Sequence, residues 1–350
     1  MVRLRTVATL VAAMFLASCG GGSNSPPPAP PVPPPSADAL QRFDSLWNDF
    51  DANYSFFQLK NFDWDDSRDR FRQQLTASSS DQELFDALSA MLLELEDGHV
   101  RLESPLGTSA YTGWYDQYPD NFDETVVTAT YLGQSAMMSP QANLLYGLLE
   151  ADIGYVRIHS LGGSGHGPDT DMILADLAGV AGLVIDLRHN GGGNDQNGEA
   201  IAARFADRNR VYRGVRFRNG PNHGDFGELI EASISPGGSQ SFQGPVAVLT
   251  NRRTFSSAES LVLAFDALPQ SFSVGDFTGG GSANPAQRSL GNGWTYTVSQ
   301  WVEFRPDGTT FEGVGIEPDI RVDISDLDAA MQRDTILDAA VAELRNRLAP

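Results

Sequence analysis

A chain of 350 residues with 41% hydrophobic content is long enough to bury one large core, alone or beside a small module. Its 45 acidic residues outnumber its 24 basic residues, which gives a formal net charge of -21 at pH 7. Nucleic acid and anionic lipid headgroups require a basic surface, so this charge excludes them as expected partners. The single cysteine, Cys19, excludes an intramolecular disulfide.

Residues 1–18 have the pattern of a secretory signal. Arg3 and Arg5 precede an apolar segment, Val7–Ser18, that is too short to span a bilayer. The segment leads into Leu16-Ala17-Ser18-Cys19, which resembles the lipobox of bacterial lipoproteins. That resemblance implies lipidation of Cys19. Because glycine rather than aspartate follows the cysteine, it also implies the outer membrane of a Gram-negative cell, with the folded part in the periplasm. An ordinary signal peptide with a chance cysteine is the alternative.

Residues 19–36 are rich in glycine, serine and proline. The proline run favours an extended polyproline II spacer, and the residues before it favour a flexible one. We therefore expect a linker that holds the folded part away from the membrane; a ligand for an SH3-type domain is the other interpretation of such a run. No later apolar stretch is long enough to span a membrane.

Residues 37–100 predict a small module of three helices. Apolar residues recur at helical spacing from Leu40 to Phe50 and again from Leu84 to Leu95. Ser80 and Glu83 form a capping-box pattern at the start of the second run, and residues 62–75 predict a helix between the two.

Residues 101–350 predict an α/β domain in which short apolar strands alternate with helices. The predicted strands include a weak one at 124–132 and stronger ones at 153–161, 181–187, 245–250 and 271–277, with a hairpin strand at 293–304. Helices are expected near 198–205, after Ser256 and at 328–348. In such a fold the functional groups lie at the carboxyl ends of the strands.

The stretch Thr254–Ser260 joins a predicted strand to a predicted helix and presents Ser256 at the helix start. With Glu259 three residues on, Ser256 could simply be part of a capping box. It could also be a nucleophile, because helix N-terminal amides stabilise a developing oxyanion. A nucleophilic serine needs a base, and the only lysine is Lys60, far earlier in the chain. The base must therefore be a carboxylate or one of the five histidines, His99, His159, His166, His189 and His223.

A second turn, Asp186–Asn194, places three glycines directly after a buried strand. Glycine allows bare backbone amides to approach a ligand, which suits either an oxyanion hole or a phosphate site. The turn lacks both the P-loop lysine and a G-x-G-x-x-G pattern, so the phosphate interpretation is the weaker one.

Five motifs occur in the order found in the C-terminal processing (tail-specific) serine peptidases, which the chain resembles over about residues 37–348. They are DGH at 97–99, GYVRI at 154–158, DLRHNGGG at 186–193, FSSAE at 255–259 and EGVGIEPDI at 312–320. The resemblance implies a crotonase/ClpP-like α/β core and makes Ser256 the nucleophile. One branch of the family carries a general-base lysine after the next strand, but Gly275–Ala283 contains none. The chain is therefore more similar to the tricorn-core branch.

Similarity to the tricorn core implies a Ser-His-Glu triad of Ser256, His99 and Glu312. It also implies oxyanion donors at the amide of Ser257 and at Gly191 or Gly192, and no metal or cofactor. His189, beside the glycine turn, is the rival base. Many relatives insert a PDZ domain, but the stretch between His99 and Gly154 is too short to hold one.

These observations together predict a lipid-anchored serine endopeptidase that hydrolyses unstructured polypeptides or peptides. The alternatives are a catalytically inactive ligand-binding protein of the same fold and a hydrolase of small esters or amides that uses the same triad.

Overall fold

The computed structural model describes residues 29–34, 37–324, 328 and 330–349. The predicted signal segment and Cys19 lie outside the described residues, as does part of the predicted linker. Across the described residues, no helix is both long and apolar enough to cross a membrane.

The described α-helices of four or more residues begin with a cluster of four and continue between the strands. They are α1 (Ala39–Asn53), α2 (Phe57–Lys60), α3 (Trp64–Arg72), α4 (Asp81–Leu93), α5 (Gly113–Asp116), α7 (His166–Asp176), α8 (Asp195–Ala202), α9 (Ser257–Asp266) and α10 (Thr335–Leu348), with a three-residue turn, α6 (Glu124–Val126).

The strands of the described residues form three sheets. They are β1 (Arg101–Ser104), β2 (Gly107–Ala110), β3 (Met137–Met138), β4 (Leu145–Glu150), β5 (Ile153–Arg157), β6 (Gly182–Asp186), β7 (Arg210–Phe217), β8 (Ile230–Ile234), β9 (Val246–Thr250), β10 (Ser271–Gly275), β11 (Pro285–Gly291), β12 (Trp294–Ser299), β13 (Trp301–Phe304) and β14 (Ile320–Arg321).

The N-terminal helical module is present, and a short fourth helix, α2, joins the three predicted ones. The predicted cap of α4 forms, because the Glu83 carboxylate accepts the backbone N–H of Ser80 at 2.7 Å. The module shares its aromatic core with the sheet β11-β12-β1-β2. Phe50 packs against Tyr296, and Phe85 against Trp294, each with ring centroids 5.9 Å apart. The chain passes from α4 into β1 through Asp97-Gly98-His99, at the junction of these two layers.

The central sheet has the strand order β14-β10-β9-β6-β5-β4-β3. The first five strands in this order, from β14 to β5, are parallel to one another. At the other edge, β4 pairs antiparallel with β5, and β3 pairs antiparallel with β4. Every residue of β6 and β9 is buried. Alternate residues face opposite layers: Leu183 packs in the cluster that includes Leu261 of α9, and Val184 in the cluster that includes Ile336 of α10. These strands confirm the predicted α/β core.

The strand prediction for residues 124–132 is wrong, because the segment is helical. Asp123 caps it by accepting the backbone N–H of Thr125 at 2.8 Å, and Val127 and Leu132 are buried against the central sheet. The segment's threonine and valine residues favour a strand locally. Tertiary packing of one apolar face overrides that preference.

The predicted strand at 293–304 divides at Gln300 between two sheets. Strand β12 pairs with β11 and β1, whereas β13 pairs with β7 in a third sheet, β13-β7-β8. This division places Trp301 and Glu303 beside the carboxyl ends of the central strands, where they line a cavity next to Ser256.

Candidate active site

Ser256 occupies a sharp turn between β9 and α9. Its backbone has φ +59° and ψ -131°, a conformation that non-glycine residues rarely adopt. The carboxylate of Glu259 accepts the Ser256 backbone N–H at 2.9 Å, so the second half of the predicted capping box holds the turn. This geometry leaves the half-buried Ser256 side chain at the edge of the cavity. The capping and nucleophile interpretations are therefore compatible.

His99 lies against Ser256, with its Nε2 2.9 Å from the serine Oγ. The ring is buried, and its centroid is 4.6 Å from that of Phe255. Burial lowers the pKa of His99, and the negative charge of Asp97 opposes that shift. A neutral imidazole with Nε2 facing a hydroxyl can accept the hydroxyl proton.

The other four histidines bind elsewhere. His159 Nε2 lies 3.0 Å from the Glu124 carboxylate, and His223 Nε2 lies 2.8 Å from that of Asp51. His166 Nε2 lies 2.9 Å from a backbone carbonyl oxygen. His189, the rival base, lies 2.9 Å from Asp120. All five histidines are described, and His99 alone lies within hydrogen-bond distance of Ser256.

Glu312 is buried within range of the Asp97 charge but makes different contacts from those expected. Its Oε2 accepts hydrogen bonds from the backbone N–H and the hydroxyl of Ser282, at 2.8 and 2.9 Å. The Nδ1 of His99 has no hydrogen-bond partner among the described residues. The expected Glu312–His99 hydrogen bond is thus absent, because Ser282 holds the carboxylate in another position. Burial, and next the charge of Asp97, raise the pKa of Glu312 to about 8.

The glycine-rich loop Thr278–Ala283 orients two buried carboxylates. The backbone N–H groups of Gly280 and Gly281 donate to Glu259 at 2.8 Å each, and the next residue, Ser282, donates to Glu312. A Cβ at position 281 would lie 2.2 Å from the ring of Phe255, so glycine is required for this close approach. This is the loop in which one branch of the resembled family carries its lysine.

The glycine turn after β6 lies against Ser256 and Ser257. A Cβ at Gly192 would lie 2.8 Å from Ser256 Cβ and 2.9 Å from the Ser257 amide nitrogen. The Gly192 N–H already donates to the Asn190 side chain at 2.9 Å. By contrast, the N–H groups of Gly191 and Ser257 donate to no other described residue. Of the two glycine amides proposed as oxyanion donors, that of Gly191 is therefore the better placed.

A cavity of about 640 Å³ opens beside Ser256 and Ser257. Its floor is polar: Arg213 donates to Asp195 at 2.6 Å and to Glu303 at 3.0 Å. These ion pairs neutralise the guanidinium, and Trp301 adds an apolar wall. The cavity can receive a substrate side chain next to the nucleophile.

Sequence reasoning did not assign roles to three residues of this site: Lys60, Asp97 and Ser282. Asp97 belongs to the DGH motif, and its carboxylate accepts the backbone N–H of His99 at 2.8 Å. The Lys60 Nζ lies 3.7 Å from Glu312 Oε1. Two sequence signals could have identified Asp97 and Lys60: Asp97 lies two residues before His99, and Lys60 is the only lysine of the chain.

Comparison with known families gives two matches. The peptidase family S41 profile matches residues 152–322, which span β5, the glycine turn, Ser256 and Glu312. The profile of the tricorn protease C1 domain matches residues 35–93, the helical module.

Individual relatives agree with these profiles. The crystal structure of a proposed peptidase from Parabacteroides merdae is 34% identical, covers 88% of this chain and 97% of its own, and superposes with a TM-score of 0.82. The chloroplastic C-terminal processing peptidase of Tetradesmus obliquus is 28% identical over 51% of this chain and 36% of its own length. Tricorn protease of Thermoplasma acidophilum is 25% identical over 55% of this chain and 17% of its own. The chain thus spans about a third or less of the length of these curated relatives.

Proposed function

The chain belongs to peptidase family S41, a family of serine-type C-terminal processing peptidases, and we propose that it is itself a serine endopeptidase of unstructured polypeptides. The observation that carries this proposal is the 2.9 Å contact between His99 Nε2 and Ser256 Oγ at the mouth of a cavity.

In this proposal His99 takes the proton of Ser256 while Oγ attacks the scissile carbonyl carbon. The amides of Ser257 and Gly191 stabilise the resulting oxyanion. His99 then returns the proton to the leaving amine, the peptide C–N bond breaks, and an acyl ester on Ser256 remains. Water, activated by the same imidazole, hydrolyses that ester. The charge of Asp97 stabilises the imidazolium form of His99, and Glu312 adds negative charge beside Asp97 in its ionised form.

Unstructured polypeptide is the proposed substrate class, because a chain segment must enter the cavity with its backbone extended beside Ser256. The segment between His99 and Gly154 holds only β1 to β4 and short helices. The proposal therefore does not invoke capture of a substrate's C-terminus by a PDZ domain.

Cleavage of unfolded, dye-labelled casein tests this function. Ser256→Ala and His99→Ala should each reduce the rate by roughly a thousandfold or more. Ser239→Ala, at an exposed serine, and His159→Ala, at a histidine bound to Glu124, should leave the rate unchanged. Full cleavage by Ser256→Ala would refute the nucleophile. Turnover of p-nitrophenyl acetate without cleavage of casein would point instead to a small-ester hydrolase.

We also propose that Cys19 carries a lipid and that residues 19–36 tether the peptidase in the bacterial envelope, at the periplasmic face of an outer membrane. The lipobox-like Leu16-Ala17-Ser18-Cys19 supports this placement. Cys19→Ala should move the protein from the membrane fraction to the soluble periplasmic fraction. Continued membrane attachment of that variant would contradict the lipid anchor.

A further inference from the structure

Lys60, the only lysine of the chain, reaches from the helical module to the candidate active site. It is the last residue of α2, and its Nζ donates to the carbonyl oxygens of Leu95 and Glu96 at 2.8 and 3.1 Å. These carbonyls directly precede Asp97-Gly98-His99. The same Nζ lies 3.7 Å from Glu312 Oε1. One ammonium group therefore contacts both the segment that carries the base and the buried carboxylate behind it.

Few other charged groups face Glu312. Asp97, two residues before His99, is buried and repels the Glu312 carboxylate. Tyr54 lies within range of both carboxylates, but burial raises its pKa well above the ordinary value, so it stays neutral. Ser282 donates two hydrogen bonds without carrying charge. Among the described residues, Lys60 alone is in ion-pair range of Glu312.

We propose that Lys60 is a positioning residue of the peptidase centre: its ammonium group fixes the Asp97–His99 segment and favours the ionised form of Glu312. This inference rests on the proposed function. It assigns the helical module a part in catalysis, because Lys60 is the last residue of the module's helix α2. Lys60 and Glu312 line one cavity of about 610 Å³ between the module and the catalytic loops, with Trp114 and Phe255.

The sign of the electrostatic effect follows from these contacts. The charge of Lys60 lowers the pKa of Glu312, against burial and Asp97, which raise it. Removing the ammonium group therefore raises the pKa of Glu312 further. Less of the carboxylate is then ionised at neutral pH, and the Asp97–His99 segment loses negative charge beside it.

The test measures the rate at which a fluorophosphonate modifies Ser256 between pH 5.5 and 9.5. The proteins are the wild type, Lys60→Met, Lys60→Arg and the control Arg70→Met, with Ser256→Ala as the blank. Arg70 is a matched control because it also binds near the end of α4, at Glu94, with 2.6 Å between Nη1 and Oε1. The pH profile separates an electrostatic role from a purely structural one.

On the acidic side of the pH profile, we expect the rise in rate of Lys60→Met to move up by about one pH unit. Its rate should be about tenfold below the wild type at pH 7 and should approach the wild-type rate by pH 9.5. Lys60→Arg and Arg70→Met should both show the wild-type dependence of labelling rate on pH. An unmoved rise in rate in Lys60→Met, or a rate lowered by one factor at every pH, would overturn the role of Lys60. Absence of labelling in the wild type would instead refute the proposed function, and this inference with it.

Discussion

At the scale of single residues, the candidate site contains the predicted Ser256–His99 pair and a carboxylate, Glu312, whose contacts were not predicted. Ser256 and His99 could be identified from the sequence, because short motifs place them and the shortage of lysine narrows the choice of base. The surroundings of Glu312 could not be identified in this way. Its contacts come from Ser282 and Lys60, which are distant from Glu312 along the chain, and only the folded structure brings the three together.

The raised pKa of Glu312 predicts how activity depends on pH. If the Glu312 charge supports His99, the rate should rise with pH through about 8, the pKa of Glu312. If His99 alone controlled the rise in rate on the acidic side of the profile, that rise would lie below the ordinary histidine pKa, because burial lowers the pKa of His99. The measurement is kcat/KM for casein cleavage between pH 5.5 and 9.5.

Glu312→Gln isolates that charge. The glutamine oxygen can still accept from Ser282, so the fold should persist while the rate at pH 9 falls about tenfold or more. The rise in rate with pH should then shift to lower pH, where it follows the pKa of His99. A variant with the wild-type rate and profile would show that Glu312 has no electrostatic role in turnover.

At the scale of elements, the turn between β9 and α9 depends on Glu259. Its carboxylate accepts four hydrogen bonds, from the N–H groups of Ser256, Gly280 and Gly281 and from the Thr278 hydroxyl. The S-x-x-E pattern predicted the first of these contacts. It could not predict the other three, because they come from a loop beyond β10. The same limit explains the wrong strand at residues 124–132, where packing decides between two local preferences.

Glu259→Gln should damage this turn. The carboxamide keeps one acceptor oxygen but directs an NH₂ group at backbone donors, which leaves buried N–H groups without acceptors. We expect the free energy of unfolding to fall by about 1–3 kcal/mol and activity to fall with it, as measured by urea denaturation and casein cleavage.

Glu83→Gln is the matched control for that variant. Glu83 occupies the same position of a capping box at the start of α4, but it is exposed and far from the site. Its replacement should cost less than about 1 kcal/mol and leave activity unchanged. Equal losses in the two variants would contradict a specific role for Glu259.

At the scale of the whole molecule, buried carboxyl groups should make stability depend on pH. Burial raises the pKa of Glu259 and Glu303 to about 7 and that of Glu312 to about 8. In the unfolded chain these groups titrate near 4.5. Between these values the folded state binds more protons than the unfolded state, so the free energy of unfolding should fall as pH rises from about 5 to 8.

Thermal unfolding at pH 5.5, 7.0 and 8.5 measures this slope. The midpoint should drop by several degrees across the range. Glu303→Gln should flatten the slope because it removes one of the raised groups, whereas Glu343→Gln, at a solvent-exposed pair with Arg347, should not. A slope that vanishes in high salt would implicate the net charge of -21 instead of the buried groups.

The most direct measurement of the central claim maps the fluorophosphonate adduct by mass spectrometry. A Ser256–His99 catalytic pair predicts a single adduct on Ser256 that is lost in His99→Ala and retained in His189→Ala. An adduct on another residue, or undiminished labelling of Ser256 in His99→Ala, would contradict it.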